Sequence, residues 1–377
     1  MAPGGREAHG ADRIAKPVRE GPPSLPYACP VTPAELSRTV LHAVCRAVED
    51  GALRAPVPES VSVERPRPGG CGDYATNVAL RLAGPAGQRP RAVAELLGRR
   101  IAEVPGIAGI EITGPGFLNI TLDAGAQQAL VREVLEWGSK YGWIAPTGAV
   151  AQPSYRADVR AAVTADALRR ILVSQGTLVR TSCEGVADPA WAELRVRVEA
   201  QGGRRYLPAD VTPVPAEEGA RELLQRLGPD AARWALLRPA GHDHPSAGEE
   251  LLTQHESNPL FKIQYACSRS RALTRNAAQL HFDSAPETHV DAAVLTTAVG
   301  DYPAVLAGAA RHRAPDRLAR HLESTADSLL AFQHTVLPIG DEKPLAAHRS
   351  RLALAEAAGM VLAGGLSLLG ISAPEYL

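Results

Sequence analysis

Aromatic side chains are scarce in this 377-residue chain, at 4%, and lysine is scarcer: Lys16, Lys140, Lys262 and Lys343 stand among 40 basic residues. The arginine excess reads as the coding bias of a GC-rich genome rather than as a function. An excess of charge of one sign is also missing. The formal net charge of −1 excludes a chain that is basic as a whole, so any nucleic-acid contact must come from local basic stripes. Cysteine is sparse too. Cys29, Cys45, Cys71, Cys183 and Cys267 are odd in number and scattered, and no CxxC occurs. That argues against a disulfide framework or a zinc site and fits a reducing cytosol. The first residues lack the apolar core of a secretory signal, so the expectation is a cytoplasmic chain with no membrane partner. Leu352 to Ile371 is nearly apolar and long enough to tempt a transmembrane reading. Glu356 interrupts it and Gly and Ala crowd it, so it reads instead as the buried last helix of a bundle.

Hydrophobic residues make up 45% and charged residues 21%, enough for a real core and for two or three domains. Residues 1–30 are rich in Gly, Pro and charge without period, and read as a disordered tail. Folded sequence starts at Val31, a valine that fits an alternative start codon. Residues 31–124 then read as a compact α+β domain. Thr32 suits an N-cap, Pro33 suits a first turn, and Leu36, Val40, Leu41, Val44 and Val48 recur at helical spacing. A short strand at Val61–Val63, a glycine turn at Gly69, Gly70 and Gly72, and helices over 77–82 and 91–104 follow. Strands at Ile110–Ile112 and Phe117–Leu122 flank the turn Gly114-Pro115-Gly116.

Residues 125–228 mix a helix over 127–137, another over 160–175, strand-like stretches at 178–183, 194–198 and 204–207, and a helix over 217–227. Residues 229–377 begin with a helix over 230–237. After a loop at 241–248 they are helical almost throughout, with breaks near Ala285, Pro315, Pro338 and Pro344.

Three blocks carry a resemblance. The first is Gly72-Asp73-Tyr74-Ala75-Thr76-Asn77-Val78-Ala79 with Gly114-Pro115-Gly116-Phe117-Leu118-Asn119-Ile120. The second is Asp230-Ala231-Ala232-Arg233-Trp234 with Asn258-Pro259-Leu260-Phe261-Lys262-Ile263-Gln264-Tyr265-Ala266. The third is Gly365-Leu366-Ser367-Leu368-Leu369-Gly370-Ile371-Ser372-Ala373-Pro374-Glu375. In this order they resemble the arginyl-tRNA synthetase family, over roughly residues 31–124 and 217–377. The resemblance implies an N-terminal domain that touches the corner of tRNA, a C-terminal all-α anticodon-binding (DALR) bundle, and between them a short α/β remnant of a nucleotide-binding fold. The family's closing Arg-Met is Tyr376-Leu377 here, and its aromatic pair after Asn-Pro is Phe261-Lys262.

The middle departs from the family. A class I synthetase holds ATP phosphates with a HIGH-type motif at a helix start and a KMSK-type loop. Counted back from Asp166-Ala167-Leu168, which resembles the family's segment after HIGH, the motif position holds Gln152-Pro153-Ser154-Tyr155-Arg156-Ala157-Asp158. Both histidines are replaced, one by an acid that repels phosphate. The KMSK position falls near Ala209-Asp210-Val211-Thr212, and no lysine lies between Lys140 and Lys262. Losing one such electrostatic donor typically costs on the order of a hundredfold in rate. Ala151 to Asp230 spans about 80 residues, and at roughly 30 or more per βαβ unit that is room for one half of a doubly wound fold.

The expectation is therefore a tRNA-binding relative with no catalytic residues, no cofactor and no metal. Its partner would be tRNA, by resemblance an arginine tRNA, with a full-length synthetase as a further partner. Two alternatives stay open: an arginine–tRNA ligase, which alone would need ATP, and a protein-interaction module derived from one. Candidate tRNA contacts in the anticodon-type domain are Lys262, Tyr265, Arg269, Arg271 and Arg275. This stretch has no acidic residue, and Lys262, Tyr265 and Arg269 share a helical face. Spacing alone admits both a face for phosphates and bases and a solvated basic face with Tyr265 in the core. In the N-terminal domain the candidates are Tyr74, Asn77 and Asn119. Arg311, Arg313, Arg317 and Arg320 form a second basic cluster. His242-Asp243-His244 offers two close ligands without a third and is read as no metal site.

Overall fold

The computed structural model describes residues 33–377 apart from 65, 67–70, 105, 124 and 203–208. The expected tail, its boundary at Val31, Gly69, Gly70 and the strand-like stretch 204–207 lie outside the described residues. Helix α1 (Pro33–Glu49) buries Leu36, Val40, Val44 and Ala47, the three-and-four spacing of one helical face. Strand β1 (Tyr74–Thr76) leads into helices α2 (Val78–Ala86) and α3 (Pro90–Ala102). Strands β2 (Ile107–Thr113) and β3 (Phe117–Leu122) form a hairpin, and β1 pairs with the other edge of β3, so the antiparallel order is β1-β3-β2.

The turn before β1 explains its glycine. Gly72 has φ +78°, and a Cβ there would stand 2.9 Å from the Ile120 carbonyl oxygen. Neither the conformation nor the space suits another residue. Next to it, the Asp73 carboxylate accepts the Leu122 amide at 2.8 Å and ties the turn to the end of β3. The expected strand at Val61–Val63 is absent. Both valines are buried, but the only pairing there is a single bridge from Glu64 to Ala75. The apolar residues from Leu36 to Ile120 make one hydrophobic interior of their own.

Helix α4 (Ala126–Trp137) leads out of this domain. Strands β4 (Val150–Ala151) and β5 (Ser154–Arg156) are followed by helix α5 (Val159–Ser174) and strands β6 (Leu178–Val179) and β7 (Ser182–Glu184). β4 pairs with β6 and β5 with β7, both parallel, so α5 is the crossover that parallel pairing requires. Strand β8 (Gln201–Gly202) adds to β7, and Val211 bridges Tyr155 on the opposite side.

Leu194–Val198 forms no strand. Arg195 takes φ +59°, which breaks an extended run, and the Leu194 carbonyl accepts from a side chain, Arg233, rather than from a neighbouring strand. Leu194 and Val196 are buried; their alternation marks plugs in the core.

Helix α6 (Ala220–Leu237) kinks at Gly228, φ 72° and ψ 174°, before Pro229, as the two expected helices on either side require. Helices α7 (Pro259–Gln279), α8 (Ala293–His312), α9 (Pro315–Phe332) and α10 (Ala346–Leu369) complete the chain as a bundle. By length and composition α8 and α10 could each cross a membrane, and α10 is mostly buried by its neighbours. One hydrophobic interior runs from Ala126 to Ile371. The expected division between 228 and 229 thus falls at the kink inside α6, with continuous core on both sides.

Candidate nucleic-acid interface

The Asn-Pro pair ahead of α7 is a helix start. The Asn258 side-chain oxygen accepts from the Leu260 and Phe261 amides at 3.1 and 3.3 Å, and its NH2 donates to the Leu251 and Thr253 carbonyls at 3.0 and 2.9 Å. Pro259 takes the first position, where no N–H is needed. So fixed, α7 puts Lys262, Tyr265 and Arg269 on one side. Tyr265 is 39% exposed and stacks on Phe261, ring centres 5.9 Å apart and planes 17° from parallel. Tyr265 is therefore not a core residue; the ring it meets is Phe261, one turn earlier, while Lys262 stands at the other position of that pair.

The cations of α7 are engaged within the chain. Lys262 pairs with Asp327 of α9 at 2.6 Å, and Arg269 donates to the Gln333 side chain at 2.6 Å. Arg271 donates to the Ala373 and Pro374 carbonyls at 2.9 and 2.8 Å, and Arg275 lies 4.6 Å from the centre of the Tyr376 ring. The last two hold the C-terminal segment instead of joining the Lys262–Tyr265–Arg269 side. The departure from the family's final residues is thus matched by a local partner: Tyr376 meets an arginine of α7.

In the N-terminal domain the three candidates separate. Tyr74 and Asn119 are buried. The Asn119 amide donates to the Glu111 carbonyl at 3.3 Å and the Thr113 hydroxyl at 2.8 Å, so it holds the β2–β3 hairpin and does not reach outward. Only Asn77 is exposed, at the start of α2 with no cap bond from its side chain.

The position expected for the HIGH-type motif is β5 and the first turn of α5. Tyr155 is 1% exposed and packs near Trp191, ring centres 6.3 Å apart; burial pushes its phenol up. Asp158 caps α5, accepting the Ala161 amide at 3.0 Å. The helix start that would otherwise attract an anion already holds a carboxylate of the chain. At the KMSK-type position, Asp210 accepts the Ser154 amide at 2.9 Å and meets Arg313 at 3.4 Å. The Ser154 amide, working against desolvation and helped by Arg313, holds the Asp210 carboxyl below its usual range. The two positions expected for the motifs therefore bond to each other.

Two arginines are interior. Arg233, with no exposure, donates to the Leu369 carbonyl at 2.8 Å, the Leu194 carbonyl at 2.6 Å and Asp166 at 2.9 Å. Asp166 also receives Arg169 and Arg170 at 3.0 and 2.9 Å. Burial alone would raise the Asp166 carboxyl, but Arg233 and Arg170 outweigh it and hold it low; burial in turn draws Arg233 down to about 10. This seam joins α5, α6 and the end of α10. Asp230, one turn before Arg233, bonds Arg195 and the Ser372 hydroxyl and accepts the Ser372 amide at 3.2 Å. The second interior arginine, Arg160, donates to the carbonyls of Val214, Leu236, Pro239, Ala240 and Asp243. The Asp-Ala-Ala-Arg motif was the one signal that could have marked Arg233; nothing local marks Arg160. His242 and Asp243 sit exposed, 3.6 Å apart, and among the described residues no group of three His, Cys, Asp or Glu converges.

An N-terminal α+β domain, a parallel crossover unit and a closing helical bundle together define a synthetase-like architecture, and comparison with known proteins says which. The family model for the arginyl tRNA synthetase N terminal domain matches residues 35–122, and that for the DALR anticodon binding domain matches residues 263–377. Arginine–tRNA ligases of Renibacterium salmoninarum and Frankia alni are 27% and 28% identical, with 92% of this chain and 100% of each relative covered. Thermus thermophilus arginyl-tRNA synthetase shares the fold at a TM-score of 0.68 and 15% identity, covering 92% of this chain and 100% of that one. The Plasmodium falciparum enzyme does so at 0.63 and 11%, covering 94% and 100%. The chain belongs to the arginyl-tRNA synthetase family. The two bacterial alignments run over 549 and 557 positions, far beyond the 377 residues present. The relatives therefore carry long stretches that this chain lacks.

Proposed function

We propose that the chain is an arginyl-tRNA synthetase-like tRNA-binding protein that does not activate arginine and acts in a regulatory or accessory role, beside a full-length synthetase. The observation that carries this reading is Asp158, whose carboxylate takes the Ala161 amide at the start of α5. A negative charge there opposes the phosphate that adenylate formation needs at such a helix start. The bond between Ser154 and Asp210 and the lack of lysine between Lys140 and Lys262 support it. On this reading β5, α5 and β7 are what is left of a nucleotide-binding fold. Exposed Tyr265, stacked on half-buried Phe261 and flanked by Lys262 and Arg269, serves as a platform for tRNA bases. The name of the bacterial relatives favours a second reading, an arginine–tRNA ligase.

Two measurements on the purified chain test the proposal. Arginine-dependent ATP–pyrophosphate exchange is expected at the level of a no-enzyme blank; exchange above it overturns the non-catalytic reading in favour of the ligase. Bulk tRNA is expected to bind at low salt, and Tyr265→Ala to weaken that binding about tenfold, the ordinary worth of one base–aromatic stack. No tRNA binding at low salt overturns the reading in favour of a protein-interaction module.

A further inference from the structure

Away from α7, a cavity of about 410 Å³ opens where α8 turns into α9 and meets the end of α6 and the first turns of α5. Its lining includes Arg160, His242, Arg313, Asp316, Arg317 and Arg320. Asp316 is the only carboxylate among the lining residues, against four arginines. In a chain of formal net charge −1 that local excess is large. Asp316 is taken by Arg320, and Arg313, its side chain half open to solvent, meets Asp210 at 3.4 Å. Arg317 is exposed and has no ion pair among the described residues. In the wall, Arg160 donates to five backbone carbonyls, and Asp158, Asp243 and Asp316 act on its charge from nearby.

The backbone adds a second, independent observation. Arg313 closes α8 in the left-handed conformation, φ 52° and ψ 42°. That place is commonly glycine, and a side chain there is disfavoured. Strain held by a non-glycine residue beside a cavity is a reason to look for a role of its side chain. Guanidinium groups suit phosphate oxygens in geometry as well as charge, and the cavity is within the size range of small-ligand sites.

We propose that this cavity, between α5 and the turn from α8 to α9, is a binding site for a phosphate-rich anion, with Arg313 and Arg317 as its principal contacts. The anion is either a stretch of RNA backbone or a free oligophosphate. The proposal does not rest on the tRNA reading.

The test titrates the full chain at low salt with inorganic tripolyphosphate by calorimetry, and with labelled tRNA by anisotropy. The double variant Arg313→Asn, Arg317→Gln is compared with the wild type; asparagine tolerates the left-handed conformation. The expected result is at least a tenfold loss of affinity for one probe, with less than a twofold change for Arg311→Gln, which lies outside the cavity. Loss for tripolyphosphate identifies a free oligophosphate, and loss for tRNA alone identifies RNA backbone. Both side chains are exposed, so the melting temperature should move little; if it falls, Arg317→Gln alone is the readout. The site is overturned if neither probe binds, if the double variant binds both like wild type, or if Arg311→Gln weakens binding as much. Tripolyphosphate binding without tRNA binding would leave this site standing and end the tRNA reading. Unaltered tRNA binding without tripolyphosphate binding would do the reverse.

Discussion

Helix α5 and its cap carry two acids about two turns apart, and the regions around them are built in opposite ways. At its start, where the family resemblance places phosphate chemistry, Tyr155 has become a core aromatic and Asp158 an ordinary helix cap. Further along, Asp166 still reaches Arg233 of the motif that opens the C-terminal domain. The first acid serves one helix end, and the second fastens one element to another. A seam of the second kind is enforced by the cost of an unpaired interior charge.

The sharpest way to break this contrast is at the seam. Replacing Arg233 with Met leaves Asp166 buried and short of its main partner, and should destabilise the chain by about 3–5 kcal/mol, read from urea unfolding. The double change Arg233→Met, Asp166→Leu should recover much of that, since an apolar pair of similar volume carries no stranded charge. A single Arg233 variant as stable as wild type would show that the seam is incidental.

An intermediate effect comes from a titratable group kept neutral inside. His321 of α9 packs beside Tyr302, ring centres 6.0 Å apart, with Nε2 unbonded, and burial pushes it down to about 4. Its folded value lies below the unfolded one near 6.5. The unfolded chain therefore takes up the proton first, and stability falls as pH drops from about 6.5 towards 4. The loss should be on the order of 2–3 kcal/mol, and His321→Gln should flatten it. Asp166 acts lower, since a carboxyl held down by arginines loses its contribution only as pH falls through its folded value, below the ordinary 3.9. Unfolding midpoints measured against pH should resolve the two windows; a profile unchanged by His321→Gln would remove the first.

The smallest effect belongs to the start of α5. Asp158→Ala should cost about 1 kcal/mol, the worth of one N-cap. Asp158→His, which returns the family's residue, should cost a similar amount and leave ATP–pyrophosphate exchange at the blank. A cost comparable with that of Arg233→Met would erase the contrast between the two regions.

Much of the fold was legible because apolar spacing reports local geometry. Strand Phe117–Leu122 and the paired helices around Gly228 follow directly from it. What escaped was polar and long-range. Leu194–Val198 alternates like a strand, yet its backbone is claimed by Arg233 from another helix. The α7 segment has no acid of its own, and its counter-charge, Asp327, comes from α9. Tyr74 and Asn119 looked like contact residues because of the motif they sit in, whereas the motif records the packing of a hairpin. A buried arginine leaves no periodic trace at all, since its partners are carbonyls that every residue possesses.

Gly370 ends α10 at φ 71°, and a Cβ built there would run into the Arg233 guanidinium. Its own carbonyl accepts from Arg195 at 3.0 Å. Residues near a chain's end ordinarily tolerate replacement well. In a library of all single substitutions, position 370 should instead behave like an interior position, with even alanine selected against, while Tyr376 and Leu377 a few residues later accept most changes. Tolerance to mutation would then map the reach of one guanidinium rather than distance from the terminus.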